Sequence, residues 1–201
     1  MKNQDPQENN RSVNLKVYLK KGISYMQYKK KMKEELDTNI PGEKNGHIGI
    51  NQQRMNRLDK KVDLSKGIIE SIEALKERKY WLVLTEHWCG DAAQIVPVLA
   101  KIADESNGKI ELKLIYRDEN LELMDQFLTN NGRSIPKLIQ LDQNYDIEKS
   151  WGPRPKIAQE MVIALKADPK TAPRYSEDLH KWYAQNKQIK IQEELMKIII
   201  D

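Results

Sequence analysis

Cysteine is nearly absent from this sequence: Cys89 is the only one among 201 residues. An internal disulfide is therefore excluded, and Cys89 acts alone or not at all. The three histidines, His47, His87 and His180, lie far apart along the chain and form no local ligand spacing, so no metal site is expected. No run of about eighteen apolar residues occurs, and the opening "MKNQDPQENNRS" lacks the apolar stretch of a secretory signal. A cytoplasmic protein with no membrane partner is the expectation. Charge of one sign is also scarce in excess, with 34 basic against 30 acidic residues and a net charge of +4. That bias is too mild to point to nucleic acid. Phosphate-binding loops, Ser/His/Asp arrangements, nucleotide fingerprints and internal repeats are all missing, and no cofactor is expected.

What is present suffices for one core of ordinary domain size, with residues left over for extensions. Residues 1–12 have the composition of a disordered end. "LKVYLKKGISYMQYKKKMKEEL" places Tyr18, Tyr25, Met26, Met32 and Leu36 at helical intervals with a break at Gly22. "KKKMK" is followed at helical range by "EEL" and reads as a solvated face. "NIPGEKNGHIG" reads as a loop, and a second helix is expected over about 51–61. A third follows in "DLSKGIIESIEALKER", capped by Asp63 or Ser65.

The period then changes. "YWLVL" (80–84) is a short apolar run expected of a strand buried on both faces. "DAAQIVPVLAKIADES" reads as helix, "IELKLIYRD" as strand and "NLELMDQFLTNNG" as helix. A strand, turn and strand follow in "PKLIQLD", "QNYD" and "IEKSWG", then a helix from "RPKIAQEMVIALKAD". The remainder is charged and mostly helical, with a break at "DPKTAPRY". The chain thus divides into a polar, helical N-terminus (1–62), an α/β core (63–165) and a helical C-terminal extension (166–201). Strand–helix–strand order implies a parallel pair, and the short turn near Asn144 an antiparallel one. The apolar ending "EELMKIIID" predicts that Ile198, Ile199 and Ile200 are docked. The two extensions are candidates for a layer over the sheet edge or for a homodimer surface.

At "TEHWCGDAAQ" the residues resemble the thioredoxin superfamily, whose signature Trp-Cys-Gly-Pro-Cys joins a buried strand to a helix. Trp88-Cys89-Gly90 directly follows the strand, and Pro97 falls where the family kinks its active-site helix. Ile135-Pro136 matches the family's cis-proline beside the thiol, and Gly152 matches the glycine that lets the next loop approach it. Asn144 stands at the family's turn glycine, where Asn tolerates a left-handed backbone. The resemblance covers about 80–165 and implies a thioredoxin-like fold, a central mixed sheet flanked by helices. It departs from the pattern in three places: the second Cys is Ala92, the central Pro is Asp91, and the buried acid six residues before the Cys is Val83. A resolving thiol and the base that serves it are thus lost together. No equivalent of the family's first strand is visible, so that sheet edge is expected to be remodelled.

A thiol at a helix N-terminus meets unpaired N–H groups that favour the thiolate, whereas Asp91 opposes a second anion. Arg154 is the candidate counterweight, as an electrostatic helper or as a clamp for the carboxylate of a peptide or glutathione-like thiol. The resemblance implies that Cys89 attacks a disulfide and forms a mixed disulfide resolved by an external thiol, with a protein or a low-molecular-weight thiol or disulfide as partner. Trp88, Gly90, Asp91, Ser134, Ile135, Pro136, Gly152 and Arg154 are the expected binding residues. His87 is a weaker candidate, because strand alternation turns it away. The alternative is a non-enzymatic binding module using the same groove for a peptide or protein. A monothiol glutaredoxin is disfavoured, since "WGPRPK" replaces the family's Gly-Gly-x-Asp-type segment.

Overall fold

The computed structural model describes residues 14–38 and 43–200, with the side chains of 43–46 left undescribed. The polar end 1–12, read above as disordered, lies outside the described residues. Two helices open the described chain, α1 (Leu15–Lys21) and α2 (Tyr25–Asp37), and the expected break falls at Gly22. Close approach demands glycine there: a Cβ would sit 2.7 Å from Lys113 Cβ. It brings Ile23 against the second strand, where Ile23 N donates to Leu114 O at 2.8 Å and Leu114 N donates back at 2.9 Å. The missing first strand is thus reduced to one antiparallel bridge on the sheet edge. Tyr28 and Met32 are the buried residues of α2, whereas Met26, expected on the same face, is 81% exposed.

The second expected helix is much longer than its sequence suggests. Helix α3 runs Glu43–Asp59, so the tail of "NIPGEKNGHIG" is helical despite its glycines. Packing overrides the low helix propensity of Gly here: Ile48, Asn51, Met55 and Leu58 are buried along one face. Helix α4 (Lys66–Ala74) starts at Ser65, whose Oγ accepts from Ile68 N.

Four strands follow: β1 (Lys79–Thr85), β2 (Ile110–Tyr116), β3 (Lys137–Leu141) and β4 (Ile147–Trp151), ordered β2-β1-β3-β4. β1 runs parallel to β2 and antiparallel to β3, and β3 antiparallel to β4. From Trp81 to Leu84 the central strand is wholly buried, as its unbroken apolar run requires. Helix α5 (Ala92–Glu105) crosses between β1 and β2 with Pro97 inside it. The helix expected over "NLELMDQFLTNNG" is only α6 (Leu121–Met124). Beyond Met124 the chain tightens into Gln126 N→Leu123 O and Phe127 N→Met124 O bonds, and Asn130 and Asn131 both take left-handed backbone between Thr129 and Gly132. At the β3–β4 turn the left-handed residue is Tyr145 (φ 71°), not Asn144. Asp142 Oδ1 accepts from the N–H groups of Asn144 and Asp146, and the Tyr145 ring packs 4.7 Å from Tyr80, which shifts the strained position by one residue.

Helix α7 (Lys156–Ala167), a 3-10 turn (Ala172–Arg174), α8 (Tyr175–Asn186) and α9 (Ile189–Ile200) complete the chain. Ile191, Leu195 and Ile199 of α9 are buried and Ile198 is partly so, whereas Ile200 is 57% exposed. Three consecutive helical residues cannot all face one core at about 100° per residue. Much of the apolar surface of the extensions is therefore spent inside the chain. Among the described residues no helix is long and apolar enough to cross a membrane.

Candidate functional site

Cys89 lies three residues before the first residue of α5, in the turn that closes with Cys89 N→Glu86 O and Ala93 N→Cys89 O bonds. Its thiol donates to Ile135 O at 3.3 Å and accepts from Ala92 N at 3.4 Å. Only 7% of the residue is exposed. Burial, then the Asp91 carboxylate, push the thiol up to about 12, against the opposing pull of the Ala92 and Asp91 N–H groups and of Arg154. The competition between helix terminus and Asp91 is thus decided chiefly by a third effect, desolvation.

Arg154 does not reach the sulfur as a free cation. Its Nε lies 3.2 Å from both Asp91 oxygens, its Nη2 donates to Asp91 Oδ2, and its Nη1 donates to Gln159 at 2.7 Å. Tyr183 Oη of α8 donates to Asp91 Oδ1 at 2.7 Å. Asp91 precedes α5 as its N-cap residue yet makes no capping bond, because its carboxylate is committed to this pair. Arg154, expected as an electrostatic helper or a carboxylate clamp, is paired here with a carboxylate of the chain itself.

His87 turns away from the thiol. Its Nδ1 meets Glu35 at 2.6 Å, and its Nε2 lies 3.2 Å from Tyr28 O and 3.1 Å from Tyr116 Oη. It ties α2 to the sheet. Trp88 is half-buried, with the Arg117 guanidinium 4.9 Å from its ring centroid.

Cys89 lies on the wall of an open cavity of about 760 Å³. Of the residues expected from sequence, Trp88, Gly90, Asp91, Ser134, Ile135 and Arg154 line it with Cys89. Pro136 and Gly152 do not; they pack on each other behind Ile135. The Ile135–Pro136 peptide is cis, and Gly152 has φ +116° with no room for a Cβ against Pro136 O. Gly152→Ala should therefore cost about 2–3 kcal/mol, from the backbone conformation and the collision together. A urea unfolding midpoint close to wild type would contradict it.

The residues sequence reasoning missed come mostly from the extensions. His47 and Arg54 of α3 and His180 of α8 reach the same cavity. A Cβ on Gly90 would lie 2.8 Å from His180 Nε2 and 3.7 Å from Arg54 Nη1, so both sit directly on the residue after the thiol. Burial, with Arg54 nearby, lowers His180 to about 4. Arg117, at the end of the "IELKLIYRD" strand, and Arg133, beside Ser134, also line it and come from the core. Among the described residues no group of three or more His, Cys, Asp or Glu side chains is arranged to hold a metal.

A family model described as thioredoxin matches residues 45–172, more than half the chain. The chain belongs to the thioredoxin family. Thioredoxin 1 of Nostoc sp. is 32% identical to it over 69 residues, which is 34% of this chain and 62% of that protein, so less than two thirds of the relative is spanned. A crystal structure of a Pseudomonas aeruginosa protein of unknown function has 17% identity and a TM-score of 0.60, covering 90% of this chain and 93% of that one. At that identity the likeness is one of fold. It reaches past the thioredoxin core into the helical extensions.

Proposed function

We propose that this thioredoxin-family protein performs thiol–disulfide exchange through Cys89, with the mixed disulfide resolved by a thiol from outside the chain. The observation that carries the reading is the placement of Cys89 Sγ, between Ala92 N and Ile135 O, on the wall of the open cavity. In the first step Cys89 gives its proton to solvent, and the thiolate attacks one sulfur of a disulfide. A new S–S bond forms at Cys89 while the old one breaks, and the leaving sulfur departs as thiolate and takes up a proton. An external thiolate then attacks the mixed disulfide, and Cys89 leaves reduced. The net result converts the external thiol and the substrate disulfide into a new disulfide and a free thiol.

Trp88 would wall the site, Ser134 and Ile135 would form the substrate edge with the cis Pro136 behind them, and Arg154 would act through Asp91. A lone thiol that depends on external thiols suits a reducing compartment, and the cytoplasm is the location proposed. The partner would be a protein or a low-molecular-weight thiol or disulfide. The raised thiol favours a second reading, in which the same groove binds a peptide or protein without turnover. Intact-mass detection of a mixed disulfide separates the two: wild type should form the adduct at alkaline pH and release it on adding thiol, while Cys89→Ser should form none. A wild-type protein that stays unmodified while still holding a partner would select the binding module.

A further inference from the structure

The cavity beside Cys89 holds a cation that nothing in the described protein neutralises. Four arginines line it, and three have carboxylate partners: Arg117 with Asp118, Arg133 with Asp125 and Arg154 with Asp91. Arg54 has none among the described residues. One of its five N–H donors is used, Nη1 on Asn51 Oδ1 at 2.8 Å. Burial, and the charge of Arg57 beside it, lower its pKa from the usual guanidinium value, so an anion arriving there would relieve a real electrostatic cost. Glu177, the remaining acid on the wall, is exposed in the first turn of α8, where water screens it.

The position of Arg54 is built rather than incidental. Asn51, only 1% exposed, donates from Nδ2 to His87 O at 3.0 Å and accepts from Arg54, so a single buried amide joins the loop before the thiol to the guanidinium. Arg54 Nη1 would stand 3.7 Å from a Cβ on Gly90, the residue after Cys89. A guanidinium with free paired donors suits a carboxylate held in the plane of the fork. The cavity wall includes residues of α3 and α8, and the thiol is 7% exposed, so a small disulfide reaches it more readily than a folded protein surface does.

We infer that Arg54 holds a carboxylate of the disulfide that Cys89 attacks, which makes small carboxylate-bearing disulfides the preferred substrates. This rests on the exchange reading above and names its substrate class. The reaction keeps the same balance: the carboxylate stays on Arg54 while one half of the disulfide joins Cys89 and the other leaves as thiol.

The test compares three symmetric alkyl disulfides at pH 9 and low ionic strength: 3,3′-dithiodipropionate (dianionic), bis(2-hydroxyethyl) disulfide (neutral) and cystamine (cationic). Adduct formation at Cys89 is followed by intact mass, and each rate is divided by that of free 2-mercaptoethanol with the same reagent. Wild type should favour the dianion over the neutral disulfide by about tenfold, with cystamine slowest. Arg54→Gln should bring that ratio to within about twofold of unity, and Arg54→Lys should keep most of it. A wild-type ratio near one, or a preference that survives in Arg54→Gln, would overturn the inference. If no disulfide reacts, the exchange reading fails by itself, and calorimetry of 3,3′-dithiodipropionate with Cys89→Ser decides the site. Binding that is lost in Cys89→Ser/Arg54→Gln would uphold the carboxylate site, and absence of binding in Cys89→Ser would remove it.

Discussion

Arg154→Met should destabilise the protein by about 3–5 kcal/mol, because it strands the Asp91 carboxylate in a buried setting. The side chains of the pair are 14% and 9% exposed, so water replaces little of what is lost. Tyr183 Oη would remain as one donor to Asp91, which is fewer bonds than a desolvated carboxylate requires. The Asp91→Asn/Arg154→Met double variant should recover most of the loss, since neither charge then remains to be satisfied and the Tyr183 hydroxyl can donate to the amide oxygen. Urea unfolding of wild type, both single variants and the double variant gives the coupling directly. Two single losses that simply add would show that Asp91 and Arg154 stabilise the fold independently, contrary to the geometry.

Asp91→Asn should speed alkylation of Cys89 at neutral pH, by about tenfold for each unit that the thiol pKa falls. Removing the carboxylate takes away the second-largest influence raising the thiol and frees the positive field of Arg154. The direction for wild type follows from the same balance. A thiol held up to about 12 stays protonated across the neutral range, so its alkylation rate should keep rising well above the free-thiol value of about 8.5 without levelling. Arg154→Met should move the curve further up, because a neighbouring cation is lost. A wild-type inflection below about 8.5 would show that the helix terminus outweighs burial. The stability sign is fixed by the same shift: the native thiol keeps its proton where the unfolded one gives it up. This contribution is full below about 8.5 and is lost as the pH rises toward about 12.

The triad of Asp91, Arg154 and Tyr183 also accounts for a departure from the family pattern. Where thioredoxins have Pro, this chain has Asp91, and its carboxylate meets both the loop after Gly152 and α8. The helical extension is thereby fastened to the start of the active-site helix.

Much of the core was legible in the residues themselves. The apolar run "YWLVL" with its β-forming residues pointed to a strand buried on both faces, and Trp81 to Leu84 are buried so. "WCG" after it, with Pro97, Ile135-Pro136 and Gly152 at their spacings, resembles the thioredoxin pattern, and that resemblance placed Cys89 at the junction of strand and helix. Ser65 capped α4 by the local chemistry of its hydroxyl. For the strand and the cap the determining contacts are near in sequence or the pattern repeats with the period of the element, whereas Pro136 and Gly152 were placed by the resemblance alone.

Tertiary packing decided the rest. Helix α3 extends through glycines that read as a loop, because Ile48, Asn51 and Met55 gain a buried face that propensity cannot register. The short α6 yields to the paired turn at Asn130 and Asn131. Above all, Arg54 and His180 come from extensions 35 residues before and 91 residues after Cys89, and no local spacing joins them to it. Sequence alone determined that the chain has one thiol, no internal resolving partner and a strand-to-helix seat for it. Only the folded structure decided how far that thiol is desolvated and which charges face it, because both depend on residues brought together from distant parts of the chain.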